Sequence, residues 1–436
     1  MNPKVAFELA LNSMHMLLRP YDERFRLHQR LENPVLNPRA ATAYLPFQML
    51  ESNQLLFDLL SNANPTGIDC HPHLERTTAS VIYALFYGFR LKTASDPILL
   101  AAHSVNEEFG QLAQVGKYLV DSFPVLNKLP SSLAPWKKEA ARHWERQREL
   151  HVGNLERGLG ASSWNFCKTM QGTLKAEAID MPVDELALDL GIMADAAMDA
   201  STETLAWFLV ACVAENHGFV TKAQGYLDTI VGRDRLPTFK DRPSLPYIDA
   251  IVEELLRWRP AGAAGVPHAT KVEGSYDGYR IPAGSVVIAN HWAITREEAV
   301  FGPDVEEFLP ERWLTFGSSG EKERTSIALK DLPTVGFGYG RRICPGRHVA
   351  RNSLWISIAK LLWAFDFGPP FSEAGDQMAI DSLASTDGLV VKPLPFRVLV
   401  RPRGQWVRDI VLNGCNTHEV DFASILDQIG SELATK

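Results

Sequence analysis

The cysteine Cys344 lies in the segment GFGYGRRICPGR, residues 336–347, among glycines and arginines. From Arg347 onward, apolar side chains recur at the i, i+3, i+4 and i+7 spacing that predicts a helix. The thiol therefore lies just before a helix N-terminus, where unpaired backbone N–H groups and the helix dipole favour a thiolate. The charges of Arg341, Arg342 and Arg347 act in the same direction. A thiolate in this position is a nucleophile or a metal ligand.

Five residues around this thiol match the pattern F-x-x-G-x-R-x-C-x-G at every fixed position: Phe337, Gly340, Arg342, Cys344 and Gly346. The segment resembles the haem-ligand loop of the cytochrome P450 family. The resemblance implies that Cys344 is the axial ligand of the iron in haem b, and a thiolate ligand favours cleavage of the O–O bond. It also implies contacts with the cofactor from four residues of the loop: Phe337, Gly338, Arg342 and Gly346. Among these, Arg342 is expected to neutralise a haem propionate.

Two further segments resemble the E-x-x-R motif of the same family and the loop that pairs with it. Glu254 and Arg257 lie one helical turn apart in EELLR, a spacing that in isolation predicts an ordinary surface ion pair. The resemblance assigns Arg312, in the segment 308–313, as their partner. It implies a buried Glu–Arg–Arg network that braces the haem loop.

The segment 191–210 resembles the family's helix on the oxygen-binding side of the haem, whose pattern is A/G-G-x-D/E-T-T/S. The acid is Asp199, but Ala200 stands at the hydroxyl position, and Ser201 is about 100° further round the helix. The resemblance implies that Asp199 and Ser201 manage proton delivery. Three explanations of Ala200 stay open: substrate hydroxyls or water replace the alcohol, the enzyme is poorly coupled, or the reaction does not need ordinary oxygen scission. The non-catalytic alternative is that Asp199 caps a helix kink.

The helix predicted at 21–31 resembles the family's W-x-x-x-R helix, which hydrogen-bonds a haem propionate. Phe25 replaces the Trp and Gln29 the Arg, and Phe has no donor while Gln has no charge. Arg30, the next residue, is the candidate for contact with the cofactor, and His268 occupies the position of a second propionate-binding residue. The basic side chains of the helix predict either a docking face for an acidic redox partner or a solvated surface: Arg24, Arg26, His28 and Arg30.

Small residues, AGAAG at 261–265, follow the E-x-x-R helix and would leave room for a bulky substrate, with loop flexibility as the alternative. By resemblance, five residues are expected to line the substrate pocket: Ala197, Met198, Ala264, Val266 and Leu389.

Composition and charge exclude several classes of protein. The chain has 436 residues, of which 46% are hydrophobic and 22% charged, as in globular proteins. Its net charge of −8 argues against a nucleic-acid partner. The five cysteines include no C-x-x-C pair, so neither a disulfide framework nor a zinc site is predicted, and the residues CHPH at 70–73 are interpreted as a solvated turn. No run of about 18 apolar residues is present, and the N-terminus, with Lys4 and Glu8, is not typical of a signal peptide.

The predicted fold class is mainly α with small β-sheets. Helices are predicted at about 21–31, 45–62, 136–157, 183–216 and 248–259, and again after Cys344. Asp-Gly and Pro-Ala-Gly turns predict a hairpin region at about 266–292, and a second hairpin is predicted at about 385–402. The order matches the cytochrome P450 fold, here one domain over residues 1–436, with helical parts at about 1–260 and 346–370 and a tail at 404–436.

The segments VGRDRLPTFKDRPSLPY and PERW most resemble those of fungal cytochrome P450 family members that act in specialised metabolism. Those members begin with a membrane anchor, which places them on the endoplasmic reticulum, and a β-rich region. Residue 1 here falls just before the helix that carries Phe25, so an N-terminal truncation is expected and membrane attachment is left open.

The resemblance implies a monomeric haem-thiolate monooxygenase that inserts one oxygen atom from O2 into a hydrophobic secondary metabolite. Electrons would come from NADPH through a separate NADPH-cytochrome P450 reductase. Two alternatives remain: a haem-thiolate isomerase, dehydratase or peroxygenase, as Ala200 allows, and a degenerate, non-catalytic haem protein from a truncated gene.

Overall fold

The computed structural model describes residues 4–114, 116–214, 218–315, 324–325 and 335–435, and most of them are helical. A π-helical turn, Lys4–Leu9, precedes the α-helices. The α-helices are α1 (Glu23–Leu36), α2 (Pro38–Ala43), α3 (Leu45–Ser61), α4 (His71–Tyr87), α5 (Pro97–Leu112), α6 (Leu119–Ser122), α7 (Pro135–Gly160), α8 (Phe166–Ala176), α9 (Val183–Ala214), α10 (Gly218–Ile230), α11 (Pro246–Trp258), α12 (His291–Ile294), α13 (Glu298–Phe301), α14 (Arg347–Ala364), α15 (Gln405–Gly414) and α16 (Phe422–Ala434).

Within the described residues, eight short strands form two-stranded antiparallel sheets: β1 (His268–Ala269) with β4 (Val286–Val287), β2 (Gly274–Tyr276) with β3 (Tyr279–Ile281), β5 (Leu314–Thr315) with β6 (Arg324–Thr325), and β7 (Phe365–Gly368) with β8 (Leu399–Pro402). The predicted hairpin turn is present between β2 and β3. Asp277 and Gly278 there have φ values of 49° and 79°, the left-handed conformation that such a two-residue turn requires.

The second predicted hairpin is wrong in its pairing. Residues 386–392 do form a turn, in which Thr386 N donates to Lys392 O at 2.9 Å. The strand that follows, β8, pairs instead with β7 at the end of α14. The pairing extends through a bridge between Ser385 and Pro393 and a hydrogen bond from Leu394 N to Ala384 O at 3.0 Å, and Pro395 then precedes β8.

Helix α9 is the long buried helix that the sequence predicts, and residues 215–216 of that prediction lie outside the described part of the chain. Among the described residues, only α9 has the length and hydropathy of a membrane span, and 72% of its most apolar window is buried inside the protein. Its apolar surface therefore serves the core.

Two hydrophobic cores meet along α9. Residues of α9 between 186 and 198 belong to one core together with residues of α4, α7 and α8, while residues 205–213 belong to another together with residues of α10, α11 and α14. The stretch between them, 199–204, is the sequence DASTET. The helix thus holds a short polar segment at a fixed depth between two apolar anchors.

The C-terminal residues 404–436, predicted only as a tail, contain the helices α15 and α16. They are attached to the body of the protein by buried polar contacts. Thr417 N donates to Gln54 Oε1 at 2.7 Å, and Arg90 Nη1 donates to Thr417 O at 2.5 Å.

Candidate active site

The loop that carries Cys344 is closed by backbone hydrogen bonds at the start of α14. Gly338 and Gly340, with φ values of 72° and 57°, take the left-handed conformation that glycine adopts most readily. Cys344 N donates to Phe337 O at 2.8 Å. A Cβ built on Gly346, the N-cap residue of α14, would lie 3.9 Å from the Cys344 sulfur. The loop therefore presents the thiol directly before the N-terminus of α14.

The prediction that the surroundings of Cys344 favour a thiolate is wrong for the free side chain. Burial raises the pKa of the Cys344 thiol, and this exceeds the lowering by the Gly346 N–H group and the Arg347 charge. Deprotonation must then accompany the binding of a metal, which takes cysteine as the thiolate and releases the proton.

Phe337 and the start of α14 are joined to α11. The Arg351 guanidinium lies 5.0 Å from the centre of the Phe337 ring, and Arg351 Nε lies 3.0 Å from Glu253 Oε1 on α11. A Cβ on Gly336 would lie 3.5 Å from Leu256 Cβ, so the loop backbone rests directly on α11. The position of Cys344 thus depends on the position of α11.

The structure brings Glu254, Arg257 and Arg312 together around one fully buried carboxylate. Arg257 donates to both oxygens of Glu254, at 2.8 and 2.7 Å, and Arg312 Nε donates at 3.0 Å. Two donors that the sequence did not suggest complete the set: Leu309 N and Trp313 Nε1, each at 2.8 Å. Five N–H groups therefore compensate the burial of this charge.

Three of the residues expected to contact the haem, Arg342, Arg30 and His268, lie in different surroundings. Arg342 donates to the Leu17 and Arg19 carbonyls, at 3.3 and 2.6 Å, and its guanidinium lies 4.1 Å from the centre of the Phe25 ring. Arg30 is largely exposed and pairs with Glu177 at 3.0 Å, which argues against contact with a cofactor. His268 is exposed, on β1.

The basic face predicted for α1 is not continuous. Arg24 Nη2 donates to Glu185 Oε2 at 2.6 Å, and His28 is fully buried against α9. Only Arg26 and Arg30 of the four, each more than half exposed, remain on the surface. The docking of an acidic partner therefore cannot rest on this face as predicted.

His28 forms a buried ionic cluster with α9 that the sequence analysis did not find. Its Nε2 lies 2.9 Å from Glu185 Oε1 and its Nδ1 lies 2.8 Å from Asp189 Oδ2. Burial lowers the pKa of His28, but the hydrogen bonds to Asp189 and Glu185 outweigh it and raise the pKa to about 9. The spacing of the two acids, one helical turn apart on α9, is the signal that the sequence offered.

The proposed pocket residues do not all face the same space. Ala264 and Leu389 are exposed, and Ala197 and Val266 are partly exposed. Met198 is 2% exposed and belongs to the core between α9 and α4, which argues against its lining a pocket.

Asp199 is paired with a residue that the sequence analysis missed. Lys392 Nζ, in the turn 386–392, lies 2.6 Å from Asp199 Oδ1. The helix is assigned as α-helix throughout this region, so Ser201 stays about 100° round the helix from Ala200. Thr204 Oγ1 donates to Ala200 O at 2.7 Å, which uses this hydroxyl within the helix.

The donor set of the Cys344 loop fits a group that is coordinated through sulfur. The cysteine stands directly before the N-terminus of α14, and the loop backbone rests on α11. Residues 3–400 match the family model for cytochrome P450, and the chain belongs to the cytochrome P450 family of haem-containing oxidoreductases.

Its similarity to curated relatives is high over most of their length. It is 36% identical over 434 residues to the cytochrome P450 monooxygenase aneD of Aspergillus aculeatus, covering 99% of this chain and 80% of that protein. It is 36% identical over 399 residues to the cytochrome P450 monooxygenase drtD of Aspergillus calidoustus, covering 92% and 72%. These relatives confirm the predicted class of enzyme, a fungal-type monooxygenase.

The fold is confirmed by solved structures. A zebrafish cytochrome P450 in a structure with progesterone has a TM-score of 0.73 at 23% identity, and the likeness covers 92% of this chain and 87% of that chain. A second zebrafish structure, with abiraterone, has a TM-score of 0.70.

Replacing Glu254 by Gln leaves two buried guanidinium groups without their carboxylate. We expect Glu254→Gln to lower the free energy of unfolding by about 3–5 kcal/mol. The matched control is Glu273→Gln, whose pair with Arg280 is largely exposed and should contribute about 1 kcal/mol or less. Urea unfolding followed by circular dichroism measures both, and equal losses in the two variants would contradict the buried network.

The His28 cluster makes stability depend on pH. Because the folded pKa of His28, about 9, lies above its ordinary 6.5, its contribution is complete below pH 6.5 and is lost as the pH rises through 9. The loss corresponds to about 3 kcal/mol. For Glu185, burial is outweighed by hydrogen bonds from Arg24 and His28, which lower its pKa to about 2, so its contribution is lost only as the pH falls towards 2.

Unfolding midpoints in urea between pH 6 and 9.5 test this dependence. The wild type should lose stability over this range, and His28→Gln, although less stable at pH 6, should lose about 3 kcal/mol less. Parallel curves for the two proteins would show that His28 is not ionised in the folded state.

Proposed function

We propose that this protein is a haem-thiolate monooxygenase that hydroxylates or otherwise oxygenates a hydrophobic secondary metabolite. The observation that carries the proposal is the Cys344 loop, whose sulfur lies at the N-terminus of α14 and whose backbone rests on α11. When bound through Cys344, the haem supplies the activation of dioxygen. The chain from 1 to 436 is proposed to act as one such domain.

Arg342 is the proposed partner of a haem propionate. Its guanidinium is already held by main-chain carbonyls and by the face of Phe25, so its charge is fixed without the Trp and Arg donors that α1 lacks. His268, exposed on β1, is proposed for the second propionate. Phe337, whose carbonyl accepts the N–H of Cys344, is proposed to restrict water near the sulfur.

The substrate is proposed to be apolar and bulky. Four small or aliphatic side chains that are at least partly exposed support this: Ala197, Ala264, Val266 and Leu389.

Electrons are proposed to come from NADPH through a separate reductase, with the enzyme as a monomer. Ala200 favours one other activity, since a protein without the usual hydroxyl on α9 is compatible with oxygen donors that need less proton delivery. A peroxygenase that uses hydrogen peroxide is therefore the second candidate.

Turnover with each oxidant separates the two candidates. Purified protein reconstituted with haem should form oxygenated product from a panel of hydrophobic fungal metabolites when NADPH, reductase and O2 are present. Cys344→Ala should abolish this activity while the circular dichroism spectrum is retained. If hydrogen peroxide alone supports full turnover and the reductase adds nothing, the monooxygenase proposal fails.

A further inference from the structure

Asp199 belongs to a network of ionisable side chains from separate parts of the chain. Lys392 Nζ lies 2.6 Å from Asp199 Oδ1 and 3.5 Å from Glu203 Oε1, one helical turn further along α9. The same Glu203 oxygen lies 2.9 Å from His71 Nε2 at the start of α4. Lys392 is thus shared by two acids on one face of α9, and the second of them is shared with His71.

The prediction of a solvated turn at 70–73 is wrong. His71 is the first residue of α4, and Cys70 before it is buried. The side chain of His71 is 31% exposed whereas that of Glu203 is 1% exposed. The network therefore reaches from the protein surface to the acid on α9.

Lys392 is held by its neighbours and is not a mobile surface lysine. Val391 N donates to Ala261 O at 2.8 Å, and Trp207 Nε1 on α9 donates to Val391 O at 3.0 Å. Lys392 N donates to Thr386 Oγ1 at 3.1 Å. The backbone on both sides of the ammonium group is fixed to α9 and to the segment after α11.

The proposed reaction needs an acid that is held in place and supplied with protons. Insertion of one oxygen atom from O2 into a C–H bond consumes two electrons, supplied by NADPH, and two protons, and it releases the second oxygen atom as water. An acid must therefore take up and release protons in a fixed place, and Ala200 offers no hydroxyl to hold it. Lys392 offers a charged donor at 2.6 Å instead.

We propose that Lys392 is a positioning residue for Asp199, and that its ammonium group keeps the carboxylate ionised and in one orientation in place of the missing hydroxyl partner. This inference rests on the proposed monooxygenase function. Burial raises the pKa of Asp199 above its ordinary value, while the charge and hydrogen bond of Lys392 oppose the rise. Without Lys392, Asp199 would take up a proton at a higher pH.

Other charged groups face Asp199 and Lys392 and also affect the pKa of Asp199. They are Glu203 on α9, His71 and Glu75 on α4, and His103 on α5, whose Nδ1 lies 2.8 Å from Glu75 Oε1. Two further acids on this side oppose ionisation of Asp199, so Lys392 is the group that offsets them at contact distance.

The test compares Lys392→Met with Lys392→Arg, which keeps the positive charge. The quantity measured is product formed per NADPH consumed, between pH 5.5 and 8.5. The fall of this ratio at acid pH should move up by about one pH unit or more in Lys392→Met, since an opposite charge at this distance lowers a carboxyl pKa by about that much. It should stay in place in Lys392→Arg and in the control Lys117→Met, a similarly exposed lysine paired with Glu139.

A merely structural tie between the turn and α9 would lower the ratio equally at every pH, and that result would overturn the proposal. An unshifted profile in Lys392→Met would do the same. Lys392→Gln removes the same charge and replaces the Met variant if that one does not fold.

A second readout does not depend on turnover. Burial lowers the pKa of His71, but the hydrogen bond and the charge of Glu203 outweigh burial and raise the pKa above its ordinary value. In Lys392→Met the ammonium group no longer offsets the negative charge of Glu203, so the pKa of His71, measured by NMR, should rise. It should be unchanged in Lys117→Met. An unchanged His71 pKa in Lys392→Met would contradict the shared contact.

The wild type separates the two proposals. If it binds haem but forms no product with NADPH and reductase, the monooxygenase function fails, and the His71 titration still decides whether Lys392 controls the charges on α9.

Discussion

The Glu254 carboxylate is the interaction on which the haem loop depends. Its two oxygens accept N–H groups from Arg257, Arg312, Leu309 and Trp313, so one buried charge joins α11 to the segment 309–313. Arg257 extends the connection to the carbonyls of Thr295, Val305 and Glu307. Since the backbone of the loop before Cys344 rests on Leu256, the same network that fixes α11 also fixes the sulfur. Burying the Glu254 carboxylate costs desolvation free energy, so the network holds α11 and the loop in place but adds little net stability.

Helix α9 applies a related constraint on the other side of the proposed cofactor site. Its two halves are anchored in separate hydrophobic cores, and the polar stretch 199–204 lies between these anchors. A helix held at both ends cannot rotate to bring Ser201 into the place of Ala200, and the compensation that we propose comes from outside the helix. Lys392 reaches Asp199 from the turn 386–392, which is itself tied to α9 through Trp207. Near the other end of α9, the buried imidazole of His28 on α1 lies between Glu185 and Asp189.

Local patterns predicted several helices and the turn between β2 and β3 well because both depend on short spacings. The helix predicted at 45–62 is observed at Leu45–Ser61, and the Asp-Gly turn between β2 and β3 is where the alternation placed it. Pairings between distant residues were beyond reach: Lys392 and Asp199 are separated by 193 positions, and β8 pairs with β7, which lies outside the predicted hairpin. Charge states were equally hidden. Nearby arginines suggested a thiolate at Cys344, but the burial that outweighs them exists only in the folded chain.

The central claim is that Cys344 binds the iron of a haem through sulfur. X-ray absorption at the iron edge of the haem-loaded protein tests it directly, because scattering from sulfur in the first coordination shell differs from that of nitrogen or oxygen. We predict one sulfur ligand in the wild type and none in Cys344→Ala, with the porphyrin nitrogens unchanged. A wild-type iron bound by nitrogen and oxygen alone, or a sulfur ligand that persists in Cys344→Ala, would contradict the account.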